Sequence, residues 1–241
     1  MTPKMRPSQP YQPFLLRVLH GLTGLCLLAA MATAYWTYDT YDRRWGGLSL
    51  PIYKAIEGIH GTLGLWTLLI FPGLVIYACH RGQKRLPQPD SLKQLTQVGK
   101  PIWWYTLNRV INALALLALT FALFSGKMMD DTWLPKGELE HGWYYAHLLS
   151  WVVMGGVIAL HLLMNARVGG LPLLLSMLTW QFREKDSPAL WPAHLAQGWS
   201  ALLQGAWIRW FQPLTGTIVL ELSILISLVA AWILPLFKSF K

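Results

Sequence analysis

A chain of 241 residues with 13% charged side chains, 54% hydrophobic ones and 14 tryptophans cannot cover a soluble surface, which takes roughly a quarter charged residues. Lipid has to cover the remainder. The net charge of +9 is spread between apolar runs with no recognition motif beside it, which argues against a nucleic-acid partner and for the basic excess that orients membrane loops.

An α-helix needs about 20 apolar residues to cross the hydrocarbon core, and five stretches supply them, at about residues 14–36, 53–79, 103–128, 143–166 and 216–236. The expected fold is all-α and integral to the membrane. A cytoplasmic arm occupies 1–13, a four-helix transmembrane bundle 14–168, a membrane-surface segment 169–214, and a fifth transmembrane helix with the C-terminus 215–241. Ala32-Thr33-Ala34 resembles a signal-cleavage site, but the apolar run around it is longer than the about 7–15 residues of a signal core, so the first span is expected to stay.

In chain order, the first span carries Arg17 and then His20-Gly21-Leu22-Thr23-Gly24. The second carries His60-Gly61-Thr62-Leu63-Gly64, the same H-G-x-x-G pattern, and the third has a polar start in Asn108, Arg109 and Asn112. The fourth holds His147 and His161, with Gly155 and Gly156 midway between them. Past it, an apolar run over 171–180 is too short to cross. A charged patch (Arg183, Glu184, Lys185, Asp186) follows, then Trp191, Leu195, Trp199, Leu202 and Trp207 at helical spacing. Tryptophan-rich amphipathic helices of this kind lie in the headgroup layer. Glu221, the only acid of the fifth span, is expected near its inner end, within reach of the interface. Cys26 and Cys79 sit inside spans and neither belongs to a C-x-x-C-H sequence, which excludes covalent c-type haem attachment and leaves them as buried thiols.

Loop charges set the orientation. Lys4, Arg6 and Arg17 mark the N-terminal end, and Arg81, Lys84, Arg85, Lys93 and Lys100 face Asp90 alone after the second span. After the third, Asp130, Asp131, Glu138 and Glu140 outweigh Lys127 and Lys136, while Lys238 and Lys241 are the one discord. The positive-inside rule puts the N-terminus and second loop in the cytoplasm.

Ionisable residues at membrane depth are costly and mark functional sites; four of the seven histidines lie there. His147 and His161 are fourteen positions apart, about 1400° of rotation and within about 40° of four full turns, so both leave one helix face, roughly 21 Å apart along the axis. With alternating spans, His20 levels with His161 toward the inner leaflet and His60 with His147 toward the outer. His80, His141 and His194 read as ordinary polar positions.

Zinc wants four ligands, often including thiolate or carboxylate, and no carboxylate shares either depth. A porphyrin needs two axial imidazoles and an apolar slot between helices. Gly24 and Gly64, four residues beyond His20 and His60, lie beneath the histidine faces and give that slot room. Plain helix packing through small residues is the competing explanation for the glycines alone. Two non-covalent b-type haems (iron) are therefore expected. Arg17, Arg109 and Arg167 are candidates for the inner propionates and Lys54 for the outer. For Arg109, lining a quinone pocket or snorkelling to the interface are equal readings.

The order of one histidine in each of the first two spans, then two histidines fourteen apart in the fourth, resembles bacterial cytochrome b-561 and the b-type subunits of nickel–iron hydrogenases and related membrane dehydrogenases. The resemblance covers about residues 14–168. It implies a four-helix core with two bis-histidine haems on His20, His60, His147 and His161, exchanging electrons with quinone or a redox partner. Three roles follow: a stand-alone transmembrane carrier, the cytochrome subunit of a larger oxidoreductase, or a non-redox membrane scaffold. A bacterial cytoplasmic membrane, or an equivalent energy-transducing one, is the expected location. Residues after about Gly170 are expected to dock a partner subunit or a second copy of the chain.

Overall fold

The computed structural model describes residues 10–129, 139–206 and 216–238. Lys4, Arg6, Asp130, Asp131, Lys136, Glu138, Trp207 and Lys241, which carry part of the orientation and surface-helix readings, lie outside the described residues.

The helices are α1 (Phe14–Tyr41), α2 (Ile56–His80), a short α3 (Ser91–Leu95), α4 (Pro101–Lys127), α5 (Gly142–Leu175), α6 (Trp191–Ala201) and α7 (Gly216–Lys238). Among the described residues there is no strand. Helices α1, α2, α4, α5 and α7 are long and apolar enough to cross a membrane. At about 1.5 Å per residue, the 28 residues of α1 overrun the hydrocarbon core, which is why helix continues to Tyr41 past the predicted end at 36. Residues such as Leu25, Leu28, Leu69 and Val152 are more than half exposed and form the outward face that lipid covers. The chain is a multi-pass membrane protein.

Helix α1 packs on α2 and α4 on α5, with α7 lying against both α4 and α2. The buried stripes follow from helical spacing. On α2, Leu68, Phe71, Leu74 and Val75 face inward, and on α4, Leu116, Leu119 and Leu123 do so. Together with Ile224 and Leu228 of α7 they form the main hydrophobic core. The core therefore lies among α2, α4 and α7, and α5 approaches α1 and α2 less closely.

Successive spans run antiparallel, so one end of the bundle, here called proximal, gathers the start of α1, the end of α2 and the start of α7. Arg17 ties α1 to the chain beyond α5, donating to the carbonyls of Thr179 and Gln181 and, at 2.7 Å, to Oγ1 of Thr179. Phe14 packs against Trp180, Phe182 and Trp191. At the distal end, Arg44 bonds Asp42 and, at 2.7 Å, the Tyr145 hydroxyl, while Tyr144 donates to Asp42 at 2.7 Å. The hydrogen bond to Asp42 holds the Arg44 guanidinium above its ordinary pKa.

Two expectations change. The fourth span does not end near 166–168: Gly170 takes φ +65°, a conformation that costs other residues a Cβ clash, and α5 bends there and continues to Leu175. The run over 171–180 thus begins as the last part of that helix. Glu221 does not reach the interface. Its side chain is 2% exposed and both carboxylate oxygens meet Nε2 of His80, at 3.0 and 3.1 Å. One face of α7 packs on its own chain, with Ile224, Leu228 and Ala231 buried.

Candidate functional site

The ring centres of His20 and His161 are 6.1 Å apart, and those of His60 and His147 are 5.9 Å apart. These are the two level pairs that helix spacing and alternating topology require. Two imidazoles on opposite sides of one metal atom, at about 2 Å per metal–nitrogen bond, place their ring centres roughly 6 Å apart. Both pairs match that separation. Among the described residues no group of three or more histidine, cysteine or acidic side chains could hold a bare metal ion. Two ligands per site suit a metal whose remaining ligands come with a macrocycle.

The surroundings of the distal pair fix its chemistry. Nδ1 of His60 lies 2.9 Å from the Ala30 carbonyl oxygen, which can only accept, so the proton sits on Nδ1 and Nε2 keeps its lone pair. Nδ1 of His147 lies 3.0 Å from Oγ of Ser125. That hydroxyl donates to the Ala122 carbonyl at 3.1 Å, so it accepts from His147 and selects the same tautomer. Ligating histidines are oriented in this way by their second nitrogen. At the proximal pair, Asn165 Nδ2 lies 3.5 Å from each His161 ring nitrogen and donates to the His161 carbonyl at 2.8 Å.

Open space adjoins the distal pair on two sides. One cavity of about 460 Å³ is lined by residues including Met31, Gly64, Leu119 and Met154. Another of about 400 Å³ is lined by Tyr38, Trp45, Gly47 and Leu148 among others. His60, His147 and Trp151 border both. A Cβ added at Gly24 or Gly64 would meet no atom within 4 Å. The ligand chemistry, the spacing and the room beside the rings fit a planar haem.

The remaining predicted residues are placed as follows. Arg17 is 4% exposed and committed to Thr179 and Gln181 through its terminal nitrogens, while its Nε has no partner. Arg109 donates to the Lys84 carbonyl at 3.0 Å. Arg167 lies over the Trp104 ring at 4.8 Å. Lys54 is exposed, and its carbonyl accepts from the Tyr41 hydroxyl at 2.8 Å.

Sequence reasoning missed Ser125, Gly126 and Arg85. An ideal Cβ on Gly126 would sit 3.1 Å from Cε1 of His147, so this glycine admits the ring. The adjacent small pair Ser125-Gly126 inside an apolar span was the available signal. Arg85 looked like one more loop cation. In the structure it donates to Oε1 of Gln12, and desolvation of its guanidinium holds it below the usual arginine range.

Neither curated proteins nor solved structures gave a significant match. The family model described as prokaryotic cytochrome b561 matches residues 11–180. The match takes in all four paired histidines and stops short of α6 and α7. It spans well over half of the sequence, and the chain therefore belongs to the prokaryotic cytochrome b561 family, membrane proteins that carry electrons through b-type haem.

Proposed function

We propose that the chain holds two b-type haems, one at each histidine pair, and relays electrons across the membrane between them. The observation that carries this reading is the pair of ring separations, 6.1 and 5.9 Å, set at two levels by one helix. His20 and His161 would supply the axial nitrogens at the proximal level, His60 and His147 at the distal level. Haem held there would supply one-electron chemistry.

The chain's own residues hold and insulate. The Ala30 carbonyl and Ser125 hydroxyl present Nε2 of His60 and His147 in one tautomer. Trp151, donating to the Met31 carbonyl at 3.0 Å, ties α5 to α1 between the levels. Apolar walls keep water and stray reactants away from the pairs. The excess of basic residues in the second loop supports a cytoplasmic proximal end, in a bacterial cytoplasmic membrane or its energy-transducing equivalent. Donor and quinone then meet the chain at its two ends.

A second role, as the cytochrome subunit of a larger oxidoreductase, is favoured by one observation. Leu195 and Trp199 are 73% and 67% exposed on the segment outside the family match, a face suited to a partner subunit or a second copy.

Haem content of the purified full chain tests the reading. Two haems per chain, extractable by acid acetone, are expected. His20→Ala and His161→Ala should remove one spectral component, His60→Ala and His147→Ala the other. One haem per chain, or His20 grouping with His147, would overturn the pairing. A chain without haem would leave the non-redox scaffold.

A further inference from the structure

The two cavities beside the distal pair are built differently. The second lies between α1, α5 and the loop after α1, and among the described residues that line it none is acidic or basic apart from His60 and His147. Its loop wall is tied down. The buried Asp39 carboxylate accepts from the Ser49 N–H at 3.2 Å, the Leu50 N–H at 2.7 Å and the Arg43 guanidinium at 3.0 Å. A Cβ at Gly47 would collide with that carboxylate, which is why glycine stands there. Arg44 is turned to Asp42 at 2.8 Å and to Glu140 at 3.6 Å, so the charges of this loop face one another and not the cavity.

The donors left to this cavity are phenols. Tyr35 and Tyr38 lie on one face of α1 with ring centres 6.3 Å apart, and both line the cavity. The other hydroxyls of the lining are committed, Tyr144 to Asp42 at 2.7 Å and Thr37 to the Thr33 carbonyl at 2.9 Å. Tyr38 is the phenol held in place: its oxygen accepts from the Trp45 backbone N–H at 2.7 Å. Its own hydrogen finds no acceptor among the described residues. Ala30, whose carbonyl holds His60, lies eight residues earlier, about 12 Å along the axis. Helical side chains lean back toward the N-terminus, so the Tyr38 ring stands between the level of the imidazoles and the distal surface.

We propose that Tyr38 donates a hydrogen bond to a propionate of the haem at His60 and His147 and so anchors its anionic edge beneath the loop. A carboxylate is costly at membrane depth and turns to the nearer surface, and where the walls hold no cation a hydroxyl is the donor that can meet it. The first cavity offers Lys127, but Glu57 borders it too, with an Oε2 that is buried and unpartnered, and like charge repels a second carboxylate there. Lys54, the expected outer partner, borders neither cavity. The inference rests on the two-haem reading above.

The test is haem transfer from the full-length protein to an apoprotein acceptor, following the optical component that His60→Ala removes. Tyr38→Phe should release that haem roughly tenfold faster, the effect of one hydrogen bond to a charged group, while the other component keeps its rate. The same measurement on protein reconstituted with iron etioporphyrin, which carries no carboxylate, separates anchoring from packing: there wild type and Tyr38→Phe should match. Equal haem retention in wild type and Tyr38→Phe, or faster loss of both porphyrins alike, overturns the proposal. So does a loss of haem that Lys127→Gln produces and Tyr38→Phe does not. If His60→Ala removes no haem component from the chain, the underlying reading fails instead.

Discussion

Gly126→Ala tests the distal site through a single added methyl group. The new Cβ would lie 3.1 Å from Cε1 of His147, whereas carbon atoms rest at about 3.5–4.0 Å. The ring or α4 must therefore retreat by roughly 0.4–0.9 Å. Ser125, which orients Nδ1 of the same ring at 3.0 Å, is the adjacent residue, so the retreat strains that hydrogen bond too. Overpacking of this kind costs about 1–3 kcal/mol. Alanine in place of glycine returns about 1 kcal/mol of helix propensity, so the net loss is on the order of 0–2 kcal/mol, a shift of a few degrees in Tm. The haem signal should respond more than the stability does. We expect the optical component that disappears in His147→Ala to broaden or shift in Gly126→Ala, with the other unchanged. A change confined to the component that His20→Ala removes would refute the argument, because it would mean that Gly126 does not abut the distal ligand.

Gly64→Leu adds bulk where the protein offers no contact within 4 Å, so folding should be preserved. The side chain enters the cavity beside His60, and haem retention at the distal pair should fall several-fold in a haem-transfer assay to an apoprotein acceptor. Unchanged retention would show that the cavity is not the haem slot. His80→Ala strands the Glu221 carboxylate, which is 2% exposed. Breaking a buried pair costs about 3–5 kcal/mol, discounted here to roughly 1–3 because His80 is partly exposed. Adding Glu221→Leu should recover most of that loss in thermal denaturation, and additive losses would show that the two side chains are not coupled.

Much of this arrangement is legible in the residues. Apolar runs of sufficient length predict five spans, and the fourteen-residue interval between His147 and His161 predicts one ligand face at two levels. What the sequence conceals is the use of partners that are remote in the chain or belong to the backbone. The Ala30 carbonyl that fixes His60 leaves no trace in residue identity. Arg17, Arg109 and Arg167 carry charge at the proximal end, but whether each turns to a carbonyl or an aromatic ring depends on packing. The setting of Glu221 is concealed for the same reason. Its position near a helix start is compatible with the interface, and only the approach of His80 across 141 positions shows that it faces α2. The bend at Gly170 is hidden in the sequence, because a glycine followed closely by Pro172 is compatible with a helix end, whereas α5 resumes to Leu175.

The His80–Glu221 contact bears on how the protein is built. A carboxylate at the centre of a lone helix costs about 2.5–3.5 kcal/mol during insertion, less toward either end, while each leucine or isoleucine returns about 0.3–0.6 kcal/mol. With Leu220, Leu222, Ile224, Leu225 and Ile226 around Glu221, α7 can enter lipid unaided, but it arrives with an uncompensated acid. Its partner lies on α2, which the ribosome delivers well before α7. Docking of α7 on α2 thus follows the insertion of both, recognised by a polar contact that the bilayer makes costly to leave unmade. All four paired histidines precede α7 in the chain, so both pairs can form before that contact is made.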